Sequence, residues 1–228
     1  MSGPGQNRAI KSASVIWNGS GRKISGLGVF GGTFDPVHNG HLAVAREVLR
    51  RLKLDEVWFL PAGQPWMKAY RPVTPAVHRV AMLRLALRGR PALRVSTLEV
   101  ERPGATYTIE TIEQLRAMRE DELYFIIGRE AFARLPEWRQ PDRLISLCRL
   151  VVVPRPGVPE PDLGALARVI PGLSERVILL DKPLVDISAT DIRRRVARGL
   201  DISRLVPAAV AGYIKEKGLY RERGFENH

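Results

Sequence analysis

The sequence predicts an α/β protein, a Rossmann-like doubly wound parallel sheet with helices on both faces. Three observations predict it. Short apolar runs bounded by Gly or Pro recur along the chain. Stretches with apolar residues at helical spacing separate them almost without exception. The first apolar run ends in a glycine pair, Gly31-Gly32, directly before a helix-like segment. Alternation of this kind gives parallel strands joined by crossover helices, and such sheets are covered on both sides.

Taken in order, GLGVFG (26–31) reads as a buried strand. NGHLAVAREVLRRL (39–52) follows as a helix, with Asn39 as its N-cap. EVWFLPA (56–62) is the next strand. TPAVHRVAMLRLALRG (74–89) is a helix with Pro near its start and Gly at its end. LRVSTLEVE (93–101) alternates like a strand, and TIETIEQLRAMR (108–119) has helical spacing. LYFIIG (123–128) is a strand, followed by short helical pieces at AFARL and PDRLISL. RLVVVPRPG (149–157) is a strand running into a turn, and RPGVPEPD (155–162) is a loop. RVILLD (176–181) is the last strand; SATDIRRRVARG (188–199) and PAAVAGYIKEKG (207–218) close the chain as helices. Residues 1–25 are rich in Gly, Ser and Asn and lack the apolar stretch of a signal peptide, so they read as a flexible extension. Residues 26–228 then form a single domain with a small C-terminal helical part.

Composition narrows the function. The 228 residues carry a formal charge of +12, which favours anionic partners such as nucleotides. The basic residues are scattered over helix faces rather than gathered in a tail, and aromatics make up only 7%. No paired-aromatic RNA-recognition motif is present, so nucleic acid is not the expected partner. No run of about 18 apolar residues occurs, so no membrane partner is expected either. Cys148 is the single cysteine and lies in an apolar stretch, which excludes an intrachain disulfide and fits a reducing cytoplasm. The oligomeric state stays open, a homo-oligomer included.

The chemistry concentrates in GVFGGTFDPVHNGHL (28–42). Gly31 and Gly32 let the backbone approach a phosphate with no side chain between. The following helix aims its free N–H groups and positive dipole end at the same place. His38 precedes that helix and His41 lies in its first turn, so both imidazoles can face one anion and stabilise charge developing on it. Two ordinary histidines at a helix start remain the bland alternative. Zinc would need more ligands, and His78, His228 and Cys148 stand at no ligand spacing. GLGVFG matches the letters of a dinucleotide fingerprint, but lies inside the strand rather than after it.

GGTFDPVHNGH (31–41) resembles the first signature of the nucleotidyltransferase superfamily, and ISATDIRRRVARG (187–199) resembles its second. LDEVWFLPAGQP, ATYTIETI, LYFIIG with LPEWRQPDRL, and RLVPAAVAGYIKEKGLY are similar to blocks of the bacterial nicotinate-nucleotide adenylyltransferase family. The resemblance spans residues 27–220. It implies that ATP and nicotinate mononucleotide are the partners, and that the products are nicotinate adenine dinucleotide and pyrophosphate. It implies direct attack of the mononucleotide phosphate on the α-phosphorus, with Mg²⁺ carried in on ATP and no metal-ligating residues in the chain.

The resemblance also implies roles for residues. His38, His41 and Arg193 are the catalytic candidates. Gly31, Gly32, Thr33 and Phe34 would line the phosphate turn; Ser188 and Thr190 would meet the β- and γ-phosphates. Lys68 would bind the mononucleotide phosphate, and Thr106, Tyr107 and Thr108 would offer backbone N–H groups to the ring carboxylate. Trp138 would stack on the pyridine ring. Gly128 and Glu130 would meet a ribose, with Glu130 standing where the family usually has Asp, next to Arg129. Asp35 and Pro36 read as turn-formers, and Arg194, Arg195 and Arg198 as surface residues. Pro65-Trp66-Met67-Lys68 replaces the family's PPHK. Rival readings are a phosphopantetheine-type adenylyltransferase, an enzyme of dual specificity that also takes nicotinamide mononucleotide, a class I aminoacyl-tRNA synthetase relative, and a basic nucleic-acid-binding module. The synthetase would need a KMSKS-like loop, which is absent.

Overall fold

The computed structural model describes residues 26–65 and 73–221. The extension 1–25 and the segment holding Trp66, Met67 and Lys68 lie outside the described residues. The elements in chain order are β1 (Gly26–Gly32), α1 (Asn39–Leu52), β2 (Glu56–Pro61), β3 (Gln64–Pro65), α2 (Ala76–Leu87), β4 (Leu93–Val95), β5 (Ala105–Thr106), α3 (Thr108–Met118) and β6 (Glu122–Gly128). They continue with α4 (Arg129–Ala133), α5 (Pro141–Leu147), β7 (Arg149–Val153), α6 (Leu163–Val169), α7 (Leu173–Arg176), β8 (Val177–Leu179), α8 (Ala189–Ala197) and α9 (Ala208–Glu216).

Six strands form one parallel sheet in the order β4-β2-β1-β6-β7-β8. The chain starts in the middle at β1, winds out to β4, returns to β6 beside β1 and winds out the other way. The β1–β6 pair is therefore the switch point, and a crevice opens beyond the carboxyl ends of these strands. The period-2 alternation of each strand feeds two cores. Phe30, Val57 and Phe59 pack with Leu42, Ala45 and Val48 of α1, Met82 and Leu83 of α2, and Val210 and Ile214 of α9. Leu27, Val29, Phe125 and Ile127 pack with Ile109 and Ile112 of α3, Phe132 of α4 and Leu144 of α5. Each such side chain, fully buried, stabilises the fold by about 1.5–3 kcal/mol before entropy is counted.

The structure corrects the sequence at three places. The strand expected over 93–101 stops at Val95. Among the described residues β4 is an edge strand, paired only with β2, and beyond it the chain curls so that Glu101 N–H donates to Thr97 O at 3.0 Å. Alternating residues there follow a turn that packs Glu99 O against Gly63, where a Cβ would come within 2.2 Å. The N-cap of α1 is His38, with extended backbone, and not Asn39. Asn39 is the first helical residue, and its amide donates to Arg204 O at 3.0 Å, tying α1 to the segment before α9. A small parallel pair, β3 with β5, was not foreseen; it sets Pro65 beside Thr106.

Candidate active site

The crevice at the switch point is a cleft of about 730 Å³. Thr33, Phe34, Asp35, His38 and His41 line one side, and Ser188, Thr190 and Arg193 line another. Gly128, Glu130, Val153 and Arg155 close it from β6 and β7. The two motifs, far apart in sequence, thus face the same space. Both present a helix start: α1 enters the cleft through Gly40 and His41, and α8 through Ser188, Ala189 and Thr190. The first turn of α1 holds no acidic residue, so no carboxylate of the helix itself offsets its dipole end.

Glycine and strained backbone build the turn. Phe34 adopts a left-handed conformation at φ 50° and buries its ring against Phe30, Phe59 and His41. That ring lies over Gly32, where a Cβ would sit 3.0 Å from it. Gly40 has the same function for His38: a Cβ there would meet the imidazole at 3.0 Å and Val185 at 3.3 Å.

The two imidazoles are stacked, with centroids 3.6 Å apart and planes 23° from parallel. His38 N–H donates to His41 Nδ1 at 3.2 Å. An accepting nitrogen carries no proton, so the neutral His41 ring holds its proton on Nε2, where it can be donated to a phosphate oxygen. His38 is buried, and its Nδ1 has no hydrogen-bond partner among the described residues. Burial, with the charge of Arg155 added, lowers its pKa to about 4. His38 is therefore a neutral ring at physiological pH, which allows the close stack with His41.

Arg193 donates from Nη1 to Asp35 O at 2.6 Å and from Nη2 to Thr190 Oγ1 at 3.2 Å. Ser188 is the N-cap of α8, but its hydroxyl makes no capping bond. Its neighbours behave as surface residues: Arg194 and Arg198 are exposed, and Arg195 pairs with Asp191 at 2.7 Å.

Other expected residues stand apart from this cleft. Gly31, Gly32, Thr106, Tyr107, Thr108 and Trp138 do not line it. Thr106 is buried in β5, Tyr107 caps α3 and Thr108 begins it. Trp138 is half-buried, edge-on to Phe125 at 6.0 Å between centroids. Arg139 joins the two groups, its guanidinium 4.7 Å above the Tyr107 ring. Arg129 turns away, donating to Val158 O at 3.2 Å and pairing with Glu160 at 3.4 Å. Glu130 pairs instead with Arg155 at 2.8 Å. Arg155 was missed by the sequence reading, although its place just beyond a strand's carboxyl end was a usable signal. Among the described residues, no group of three or more His, Cys, Asp or Glu stands close enough to hold a metal ion. Asp35 and Glu130, the carboxylates that line the cleft among the described residues, already have protein partners.

Residues 29–195 match the Cytidylyltransferase-like family. A Dehalococcoides mccartyi protein named "Probable nicotinate-nucleotide adenylyltransferase" is 46% identical over 198 residues, covering 86% of this chain and 97% of that one. A protein of the same name from Roseiflexus sp. is 48% identical over 195 residues, covering 86% and 98%. The chain belongs to the nicotinate-nucleotide adenylyltransferase family. Within solved structures, the fold is similar to that of the Plasmodium falciparum nicotinic acid mononucleotide adenylyltransferase complexed with NaAD. The TM-score is 0.72 at 17% identity, over 86% of this chain and 97% of that chain. The switch-point cleft of this nicotinate-nucleotide adenylyltransferase family member is thus built on a fold shared with that solved structure.

Proposed function

We propose that this chain transfers the adenylyl group of ATP to nicotinate mononucleotide, releasing pyrophosphate and forming nicotinate adenine dinucleotide in NAD biosynthesis. The observation that carries this reading is the convergence of two helix N-termini, a stacked histidine pair and Arg193 on one cleft. Such an array suits a polyphosphate. An oxygen of the mononucleotide's phosphate attacks the α-phosphorus, and the bond from that phosphorus to the β-bridging oxygen breaks as pyrophosphate leaves with its electron pair. No side chain need become bonded to phosphorus, so catalysis is positioning and charge neutralisation. His41 donates from Nε2 to an α-phosphate oxygen as charge grows there. The start of α8, with Ser188 and Thr190, holds the β- and γ-phosphates, and Arg193 takes up the charge of the leaving pyrophosphate. Gly31, Gly32, Thr33 and Phe34 shape the turn that receives the triphosphate. The substrate form of ATP is its Mg²⁺ complex, and the cleft's engaged carboxylates suit an ion held by the triphosphate itself.

The mononucleotide is assigned to the neighbouring face. Glu130 and Gly128 meet its ribose. The start of α3, where intrahelical bonding begins only at Glu110 N–H, offers amides to the ring carboxylate. Trp138 and Tyr107 supply aromatic surface, and Lys68 is assigned to the phosphate. A deeply buried Cys148, its thiol pushed up to about 12 by burial, is inert and suits a cytoplasmic enzyme.

Steady-state kinetics with both mononucleotides tests the reading. A carboxylate gains charge-assisted hydrogen bonds that a neutral amide cannot match, so kcat/KM should favour the acid by at least about 10²-fold. A ratio near one would sink the nicotinate assignment in favour of dual specificity. No turnover with either, but turnover with phosphopantetheine, would move the chain to that branch.

A further inference from the structure

The C-terminal end of the described chain returns to the cleft. Past α9 the backbone turns at Gly218, and Tyr220 follows in the left-handed region at φ 64°. A bulky residue keeps that conformation only where its contacts hold it. Those contacts are on the phosphate turn. Tyr220 Oη donates to Asp35 Oδ1 at 2.7 Å, and Thr74 N–H donates to the other carboxylate oxygen at 3.2 Å. The carbonyl of the same buried aspartate receives Arg193 Nη1.

Arg79 lies beneath. It is only 2% exposed, and its guanidinium donates to three carbonyls: Thr74 O at 2.8 Å, Thr33 O at 3.0 Å and Gly63 O at 3.4 Å. A charge so buried is costly unless fully bonded, and these acceptors, with the Asp35 charge nearby, satisfy it. Burial and the Asp35 carboxylate hold the Tyr220 phenol far above its ordinary range, so it remains a protonated donor. Neither Arg79 nor Tyr220 lines the cleft; each touches residues that do.

We propose that Tyr220 is a positioning residue for adenylyl transfer: its hydroxyl, backed by Arg79, fixes the Asp35 turn and through it the guanidinium of Arg193. This rests on the proposed function, since it assigns Arg193 to the leaving pyrophosphate. A tail that only covered the core would need apolar contact, which Leu219 and the Tyr220 ring already make. The hydroxyl adds a bond to the one carboxylate whose own backbone carbonyl orients the catalytic arginine.

The test compares wild type, Tyr220→Phe, Arg193→Ala and the double variant, with MgATP and nicotinate mononucleotide varied separately and Tm recorded. Loss of a bond to a buried carboxylate should lower kcat/KM for ATP by about tenfold in Tyr220→Phe, with KM for the mononucleotide within about twofold of wild type. In the Arg193→Ala background the same substitution should change kcat/KM by less than about twofold, because the residue it acts through is gone. Leu219→Ala, which removes packing and keeps the hydroxyl, should lower Tm and leave the kinetics near wild type. Unchanged kinetics in Tyr220→Phe, an equal loss in both backgrounds, or the same ATP-selective loss in Leu219→Ala would each overturn the proposal. Should Tyr220→Phe fail to fold, Asp35→Asn carries the test: an ATP-selective loss supports the proposal, and an unselective loss or none overturns it. Wild type that turns over neither substrate would refute the proposed function instead. Calorimetry with α,β-methylene-ATP then reads the Tyr220–Asp35 contact alone: about tenfold weaker binding in Tyr220→Phe supports the proposal, and equal affinity overturns it.

Discussion

Two stacked imidazoles line the cleft. Their closeness was legible in the sequence, where the same spacing also fitted two ordinary histidines at a helix start. Their division of labour was not. It depends on which ring is buried and on the bond from His38 N–H to His41 Nδ1. That bond makes His41 the donor, so His41→Ala should lower kcat by about 10²–10³ while Tm hardly moves. Kinetics at saturating ATP check this, and activity within about a factor of two of wild type would remove His41 from the mechanism. Arg79 and Tyr220 carried no local signature, and Asp35 read only as a turn-former. Each draws its meaning from partners in other elements, such as the Asp35 carboxylate for Tyr220, and single-chain periodicity does not report contacts of that range.

At the scale of elements, the sequence predicted the strands and helices of the main sheet well, because buried parallel strands and amphipathic helices have different periods. It failed where tertiary context overrode period. LRVSTLEVE alternates like a strand, but an edge position with one neighbour let it end at Val95. The two-residue strands β3 and β5 are too short to leave a pattern. α8 shows both outcomes within one helix. Of its run of arginines, Arg194, Arg195 and Arg198 read as surface and Arg193 as a site residue; the helix start brings Arg193 onto Asp35 O while Arg194 faces solvent. Arg193→Ala should therefore impair ATP use, raising its KM or lowering kcat, by at least about tenfold, and Arg194→Ala should change neither by more than about twofold. Equal effects in paired steady-state assays would reduce the helix to a basic surface.

For the molecule as a whole, the buried histidine makes stability depend on pH. His38 titrates near 4 when folded, against an ordinary value of 6.5. As pH falls, the unfolded chain takes up this proton first. The stability tied to a neutral His38 is thus complete above about pH 6.5 and is lost as pH falls toward about 4, by up to roughly 3 kcal/mol. In urea titrations of wild type and His38→Gln, the difference in unfolding free energy should change across that window. Parallel curves would show that His38 does not titrate as its burial requires. The contact between Tyr220 and Asp35 has a further consequence, for synthesis. It joins positions 185 apart, and Arg193 reaches Asp35 across 158. A ribosome that has made the first third of the chain has already released the phosphate turn, but nothing that can complete it. Any nascent chain that ends before Tyr220 lacks at least one of the two side-chain bonds to Asp35. The phosphate turn thus gains its full set of bonds to Asp35 only after the residues through Tyr220 have left the exit tunnel.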